Sequence, residues 1–396
     1  MKAKALLIIG GSELQIPSLL QAKKLGLKIL LSDVNENAPG RRVSDEYLQV
    51  DGTDSANLMK KVKILQEQYE VLGAYCANDF GLISVAKINQ KLQLNTAKPK
   101  QVAICQNKIQ AKKILSKAGI ATPNGRAYRK YDEVNTSDLE FPIIVKPSQG
   151  SGSRGVSYVE DTRCLKLAMN KAFEVSQELL IEQAIEGRQF DINGFFADGS
   201  FFEAGQLERY FSPLPNRVPI WGEQPARISQ KNSQKMYDLL RKSAEVLKIN
   251  DGPVKADIIL ADSGPQLIEI SPRFHGDIST FFVSELAYGF SPTKFWFQWL
   301  TTKTLPNPTL REQGKIVAGW KGIFPTSTGR IRKIKLPETC KNSQIVLCKK
   351  ENDYINTLTD NTSVIGFIVA QAENRKELRA RLIGVRKKIK ITIEDI

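Results

Sequence analysis

Over the first hundred residues, apolar and polar positions fall into alternating blocks. "KALLIIGG" is an unbroken apolar run ending in glycine, the pattern of a strand buried on both faces. "ELQIPSLLQAKKLG" follows as a helix closed by Gly26, and "LKILLSD" is a second strand. After a loop, "LMKKVKILQEQY" predicts a helix and "VLGAYCAND" another strand. Strand and helix in this alternation predict a parallel α/β unit with right-handed crossovers, whose ligands would sit at the carboxyl ends of the strands. Gly10, Gly11 and Ser12 fall at such an end, as do Asp33 and the "NDFG" of Asn78 to Gly81.

"NTAKPKQVAICQNK" carries the chain into a second region. From Lys108 to about Leu300 the pattern gives the helix "KIQAKKILSKAG" and strands in "FPIIVKPS", "ELLIEQAIEG" and "QFDINGFFADGSFFEAGQL". A long loop is expected over "RYFSPLPNRVPIWGEQPARIS", rich in proline and aromatics, and such loops are usually functional or mobile. The helix "QKNSQKMYDLLRKSAEVLKI" and two strands around a turn, "VKADIILADSGPQLIEIS", come next. "LPNPT" (305–309) marks a further boundary, after which short strands precede a terminal helix and strand.

With 396 residues, two or three domains are expected. The 41% hydrophobic and 25% charged content is that of a soluble globular protein. No apolar run approaches the roughly 20 residues of a membrane helix. "MKAKALLIIGGSELQ" opens like a signal peptide, but the run stops at Gly10–Gly11, so it reads as a buried strand and cytoplasm is expected. Cys76, Cys105, Cys164, Cys340 and Cys348 are scattered, without a C-x-x-C pair, which argues against a disulfide framework or a zinc site. The net charge of +15 is spread along the chain. Its densest run, "NRKELRARLIGVRKKIK", keeps Leu378, Leu382 and Val385 on one stripe and reads as a solvated helix face. No nucleic-acid partner is expected, whereas anionic small molecules would suit the sign.

The turn "GGSELQ" lacks the third glycine of a dinucleotide fingerprint, although Asp33 lies at the expected distance. A stronger signal is "VKPSQGSGSRGVSYV". Here a strand delivers Lys146, and a glycine- and serine-rich turn precedes another strand. Glycines let successive backbone N–H groups point at one anion, and Arg154 adds donors, so this reads as a phosphate-gripping loop rather than a plain hairpin. Asp257 and Glu269 flank the "DSG" turn, which can bring both carboxylates to one face. Hard oxygen ligands so clustered suit Mg²⁺. Arg273, the lone histidine His275 and Asp277 follow directly. A phosphate loop, two lysines (Lys108 and Lys146), a carboxylate pair and an arginine together point to ATP·Mg²⁺ phosphoryl transfer.

In order, "NKIQAKKIL", "FPIIVKPSQGSGSRGV", "LLIEQAIEG", "VKADIIL" and "LIEISPR" resemble the ATP-grasp superfamily of carboxylate–amine ligases and carboxylases. The resemblance spans essentially the whole chain. It implies an N-terminal parallel α/β (preATP-grasp) domain over 1–100 and a two-subdomain ATP-grasp fold over 101–304, with its glycine-rich lid at 146–156. A small C-terminal α+β domain over 305–396 resembles that of biotin-carboxylase-like members. It further implies that Lys108 and Lys146 hold ATP phosphates under a mobile lid of Ser151, Gly152, Ser153, Arg154 and Gly155. Glu182, Gln183 and Ile185 would form the adenine hinge, Glu182 and Ile185 mainly through backbone groups. Gln189 stands where the family usually has a ribose-binding glutamate. Asp257 and Glu269 would ligate Mg²⁺ (or Mn²⁺), with Ser271 in place of the usual asparagine ligand, and Arg273 would stabilise an acyl-phosphate. His275 is placed to accept a proton from an amine or to cap the following segment.

The activity implied is an ADP-forming ligase joining a small-molecule carboxylate to an amine. The alternative is a biotin- or purine-type carboxylase that phosphorylates bicarbonate. Specificity is expected from "YFSPLPNRVPIW", Ser12, the "NDFG" turn and His275. Homodimerisation is common among the resembling proteins, although the chain carries no interface signature.

Overall fold

A computed structural model describes residues 2–214, 216–304 and 316–394. Its first sheet has strands β1 (Ala3–Ile9), β2 (Lys28–Ser32), β3 (Glu46–Leu48) and β4 (Tyr69–Cys76), with helices α1 (Ile16–Lys24), α2 (Ser55–Leu65) and α3 (Leu82–Lys91) between and after them. All pairings are parallel, in the order β3-β2-β1-β4. Central β1 is buried from Ala5 to Ile9, as its unbroken apolar run requires. The carboxyl ends of β1, β2 and β4 therefore present Gly10–Gly11, Asp33 and Asn78–Gly81 along one edge.

Helices α4 (Pro99–Gln106) and α5 (Lys108–Lys117) lead into an antiparallel sheet of β5 (Gly125–Tyr128), β6 (Ile143–Pro147), β7 (Ser157–Val159) and β8 (Leu179–Gln183). Helix α6 (Leu165–Phe173) packs on this sheet over a small core that includes Val145, Leu165, Met169 and Ile181. Asn107 caps α5 by accepting the Gln110 N–H at 3.0 Å, which sets Lys108 in the first turn beside the glycine loop.

The largest sheet is built from β9 (Arg188–Ala197), β10 (Ser200–Phe211), β11 (Pro219–Gln224), β12 (Gly252–Ala261) and β13 (Gly264–Ser271). Helix α7 (Gln230–Val246) covers one face. Helices α8 (Ser284–Tyr288) and α9 (Pro292–Thr302) follow β13. The later strands are β14 (Val317–Ile323), β15 (Gly329–Lys335), β16 (Ser343–Leu347), β17 (Tyr354–Ile355) and β18 (Gly366–Ala372). Helix α10 (Arg375–Lys388) and β19 (Lys390–Glu394) end the described chain. The sheet order is β13-β12-β9-β10-β11-β14-β18-β16, so strands on both sides of residue 304 share one ladder. Strands β15, β17 and β19 form a separate small sheet. Leu378, Leu382 and Val385 are buried on α10, and its basic residues cover the other side.

Two expectations change. "QFDINGFFADGSFFEAGQL" is a hairpin, β9 turning into β10 at Asp198–Gly199. The long loop expected from Arg209 to Ser229 is strand at two places, because β10 runs to Phe211 and β11 (Pro219–Gln224) pairs with both β10 and β14. Its prolines are no obstacle: Pro219 opens a strand and Pro225 follows one, positions that need no ladder N–H. The "LPNPT" boundary lies outside the described residues. Among the described residues, no helix is long and apolar enough to cross a membrane.

Candidate active site

Alternation along three neighbouring strands builds the site. Phe190 and Ile192 of β9, and Val254, Ala256 and Ile258 of β12, face the core under α7. Their neighbours Asp191, Asn193, Lys255 and Asp257 therefore share the opposite face. A bulge in the β12–β13 pairing, between Asp257↔Glu269 and Ile258↔Leu267, lets Leu267 and Ile270 both reach the core while Glu269 stays opposite Asp257. The result is two rungs across the sheet: Glu269–Asp257–Asp191 and Ser271–Lys255–Asn193.

Lys255, 3% exposed, joins the carboxylates: its Nζ lies 3.2 Å from Asp257 Oδ1 and 2.9 Å from Glu269 Oε1. Lys108 Nζ is 3.8 Å from Glu269 Oε2 and donates to the Gly150 carbonyl at 2.8 Å, linking the glycine loop to the pair. Burial pushes both carboxyls up, but the cations outweigh it. Lys255, with His275, holds Asp257 well below its ordinary value, and Lys255 with Lys108 lowers Glu269. The same two carboxylates raise Lys255 against its burial.

Arg273 is clamped by Asp79 of the "NDFG" turn, with Nε to Oδ1 at 2.8 Å and Nη2 to Oδ2 at 2.7 Å. Its Nη1 donates to the Phe274 carbonyl. Ser271 Oγ also donates to Asp79 Oδ1, at 3.3 Å. Burial alone would raise Asp79, yet Arg273 lowers it and is itself raised in return. The approach is tight: a Cβ on Gly276 would lie 2.1 Å from the Ala77 carbonyl oxygen. The N-terminal unit thus sets where the arginine stands.

His275 is 6% exposed. Asn193 Oδ1 accepts its backbone N–H at 2.9 Å and lies 3.1 Å from its Nδ1. On the other side of the ring, Nε2 lies 2.8 Å from Asp257 Oδ1 and 3.7 Å from Asp191 Oδ1. Burial pushes the imidazole down to about 4, against the pull of Asp257.

Lys146 and Glu182 form a second cluster. Glu182 takes Lys146 Nζ at 2.5 Å on Oε2 and Lys112 Nζ at 2.8 Å on Oε1. The expectation that Glu182 acts mainly through its backbone is therefore incomplete, because its buried side chain anchors two lysines. Gln183 is exposed at the end of β8, and Ile185 is half-buried in the segment that follows. Gln189 lies on β9 beside Arg209 and Ile259. No side-chain hydrogen bond among the described residues ties Gln183 or Gln189 to either cluster. In the loop, Gly150, Gly152 and Gly155 take φ of 121°, 71° and 70°, and Ser153 takes 61°. Ser151 and Arg154 are exposed. The Gly152 carbonyl accepts the Asn361 N–H at 3.3 Å, so the loop rests on the C-terminal segment.

Lys112, Arg209 and Lys255 were missed in the sequence, and Asp79 was read only as part of the "NDFG" turn, without its pairing to Arg273. Lys255 alone gave a local signal, standing two residues before Asp257 on the same strand face.

A family model for the ATP-grasp domain matches residues 105–277. These residues are an ATP-grasp domain. Its matched span holds both lysine–carboxylate clusters and the glycine loop. A D-alanine–D-alanine ligase of Bacillus anthracis is 36% identical over 181 residues, covering 42% of this chain and 57% of that protein. A formate-dependent phosphoribosylglycinamide formyltransferase of Prochlorococcus marinus is 27% identical over 186 residues, covering 46% and 47%. The chain spans about half the length of the first curated relatives it matches (49%, 47% and 56%). The crystal structure of an L-amino acid ligase from Bacillus licheniformis superposes with a TM-score of 0.84 over all of both chains. At 20% identity that likeness is one of ATP-grasp fold.

The donor set fits a hard divalent cation, since Asp257 and Glu269 present carboxylate oxygens in register. Ser271 gives its hydroxyl to Asp79 instead, and Lys255 already bridges the two carboxylates from one side.

Proposed function

We propose that the protein is an ATP-dependent carboxylate–amine ligase that forms an amide bond and releases ADP and phosphate. The reading is carried by the convergence of Lys108, the Asp257–Glu269 pair and Arg273 on one sheet face beside the glycine loop. A carboxylate oxygen of the first substrate attacks the γ-phosphorus of ATP, and the bond from that phosphorus to the β–γ bridging oxygen breaks to release ADP. An amine nitrogen then attacks the acyl carbon, and the bond to the phosphate oxygen breaks to release phosphate. Arg273, held by Asp79, keeps two N–H groups for the charge on the acyl-phosphate, counting five donors on the guanidinium and three in use.

Lys108, Lys146 and Lys112 answer ATP phosphates, and the loop of Ser151, Gly152, Ser153, Arg154 and Gly155 covers them. Glu182, Gln183 and Ile185 line the adenine, with Gln189 at the ribose. Asp257 and Glu269 would hold Mg²⁺, which neutralises phosphate charge when bound. His275 is the acceptor for the proton that the amine loses.

Phosphate release from ATP·Mg²⁺ tests this, with pooled carboxylic and amino acids set against a bicarbonate-only control. Release is expected to need an acid plus an amine and to be lost in Glu269→Ala. Release with bicarbonate alone would move the protein to the carboxylase reading.

A further inference from the structure

The glycine loop is held unevenly along its length. Its base is fixed twice: Lys108 Nζ donates to the Gly150 carbonyl at 2.8 Å, and a Cβ on Gly155 would lie 2.9 Å from the Lys171 carbonyl oxygen of α6. Its tip, residues 151–154, has one backbone bond to another part of the chain among the described residues, from the Asn361 N–H to the Gly152 carbonyl at 3.3 Å. No group outside the loop among the described residues engages the N–H groups of residues 151–155. A hold on the carbonyl thus fixes the tip and leaves its donors for an anion.

The segment that supplies this N–H is built more firmly than the loop it holds. Asp360 Oδ1 accepts the Thr362 N–H at 2.7 Å and the Thr362 hydroxyl at 2.6 Å. The hydroxyl of buried Ser363 donates to the Thr357 carbonyl at 2.9 Å, and the Ile365 N–H donates to the Ile323 carbonyl of β14 at 2.8 Å. A further tie comes from the site. Strand β10 carries Arg209, whose Nη2 donates to Asp277 Oδ2 at 2.6 Å, and from the connection after β10 Asn216 Nδ2 donates to the Leu358 carbonyl at 2.9 Å. An anchored turn therefore meets a loop whose glycines make it costly to order.

We infer that Asn361 is a positioning residue for nucleotide binding: its backbone N–H holds the Gly152 carbonyl and so orders the phosphate loop before ATP arrives. This rests on the nucleotide part of the ligase reading and brings to the ATP site a residue outside the matched span 105–277.

The backbone allows a narrow test. Asn361 is the first residue of a short 3-10 turn, and Asp360 before it is extended, with φ −156° and ψ −174°. Proline suits such a place, so Asn361→Pro removes the N–H and little else, whereas Asn361→Ala keeps it. Calorimetry on the full chain measures the affinity for a non-hydrolysable ATP analogue with Mg²⁺. Mass spectrometry counts tryptic cleavage after Arg154 against cleavage after exposed Arg163, which lies outside the loop. Asn361→Pro should bind the analogue roughly 2- to 10-fold more weakly, the worth of one neutral hydrogen bond, and should be cut faster after Arg154. Asn361→Ala should match the wild type in both. A lower unfolding midpoint with unchanged affinity would make the contact structural and overturn the inference, as would an equal loss of affinity in Asn361→Ala. Where the proline variant does not fold, the wild type decides: the analogue should slow hydrogen exchange at the Asn361 amide, and exchange that it leaves unchanged would overturn the inference alone. No binding of the analogue by the wild type would overturn the nucleotide reading as well.

Discussion

Two lysine–carboxylate clusters differ in which charge is in excess. At the proposed adenine hinge, one carboxylate is answered by two ammonium groups: Glu182 takes Lys146 and Lys112, and Lys112 also donates to Thr122 Oγ1 at 2.9 Å. On the β12–β13 hairpin, two carboxylates share Lys255, and the next cation, Lys108, stands off at 3.8 Å. The first cluster suits an anion and the second a cation. On the proposed function ATP·Mg²⁺ is a ligand with both, and the excess charge of each cluster assigns the part it would take. The same contrast predicts different failures: the hinge should fail as a fold, the hairpin as a catalyst.

Glu182→Gln breaks the comparison most sharply. The amide would leave two largely buried ammonium groups without a counter-charge, and removing one partner of a buried pair costs about 3–5 kcal/mol. Denaturant unfolding should show that loss with an unchanged slope. A variant as stable as wild type would mean that the lysines relax into water and that the hinge is no more built than the hairpin.

Asp79→Asn probes the clamp on Arg273, where a charged hydrogen-bond pair is worth about 1.5–3 kcal/mol. The sign of its pH dependence follows from the depressed Asp79 carboxyl, which Arg273 holds down against burial. Its contribution is complete above the unfolded value of about 3.9 and is lost as pH falls through the lower folded one. The gap in stability between variant and wild type should therefore be full at pH 7 and narrow below about pH 4. A gap that stays constant in acid would sink the ion-pair explanation.

What the sequence made legible was local. The N-terminal sheet could be read because blocks of apolar residues fix both period and direction, and Asp257 faces Glu269 because one short turn joins their strands. Asp79 and Arg273 meet across 194 positions, so only the packing of the first sheet's carboxyl edge onto the loop after β13 reveals the clamp. Arg209 was hidden for another reason. Its stretch was read as a loop on the strength of prolines, and a residue in a loop has no face to be assigned. Once β10 is a strand, the residue opposite Gln189 has to lie near Asp191, two residues further along β9.

The smallest effect sharpens the contrast from the surface. Arg154 is exposed on the glycine loop, and its only side-chain bond among the described residues is a long one, Nε to the Ser151 carbonyl at 3.5 Å. Arg154→Ala should change unfolding free energy by no more than about 0.5 kcal/mol, as for other surface positions. If the loop closes on phosphates, the same change removes a charge-assisted contact, and the KM for ATP should rise by roughly tenfold. A rise in KM without loss of stability would place Arg154 with the ligand, in the manner of the hairpin cluster. Lost stability with KM unchanged would instead make the loop, resting on Asn361, a structural strap.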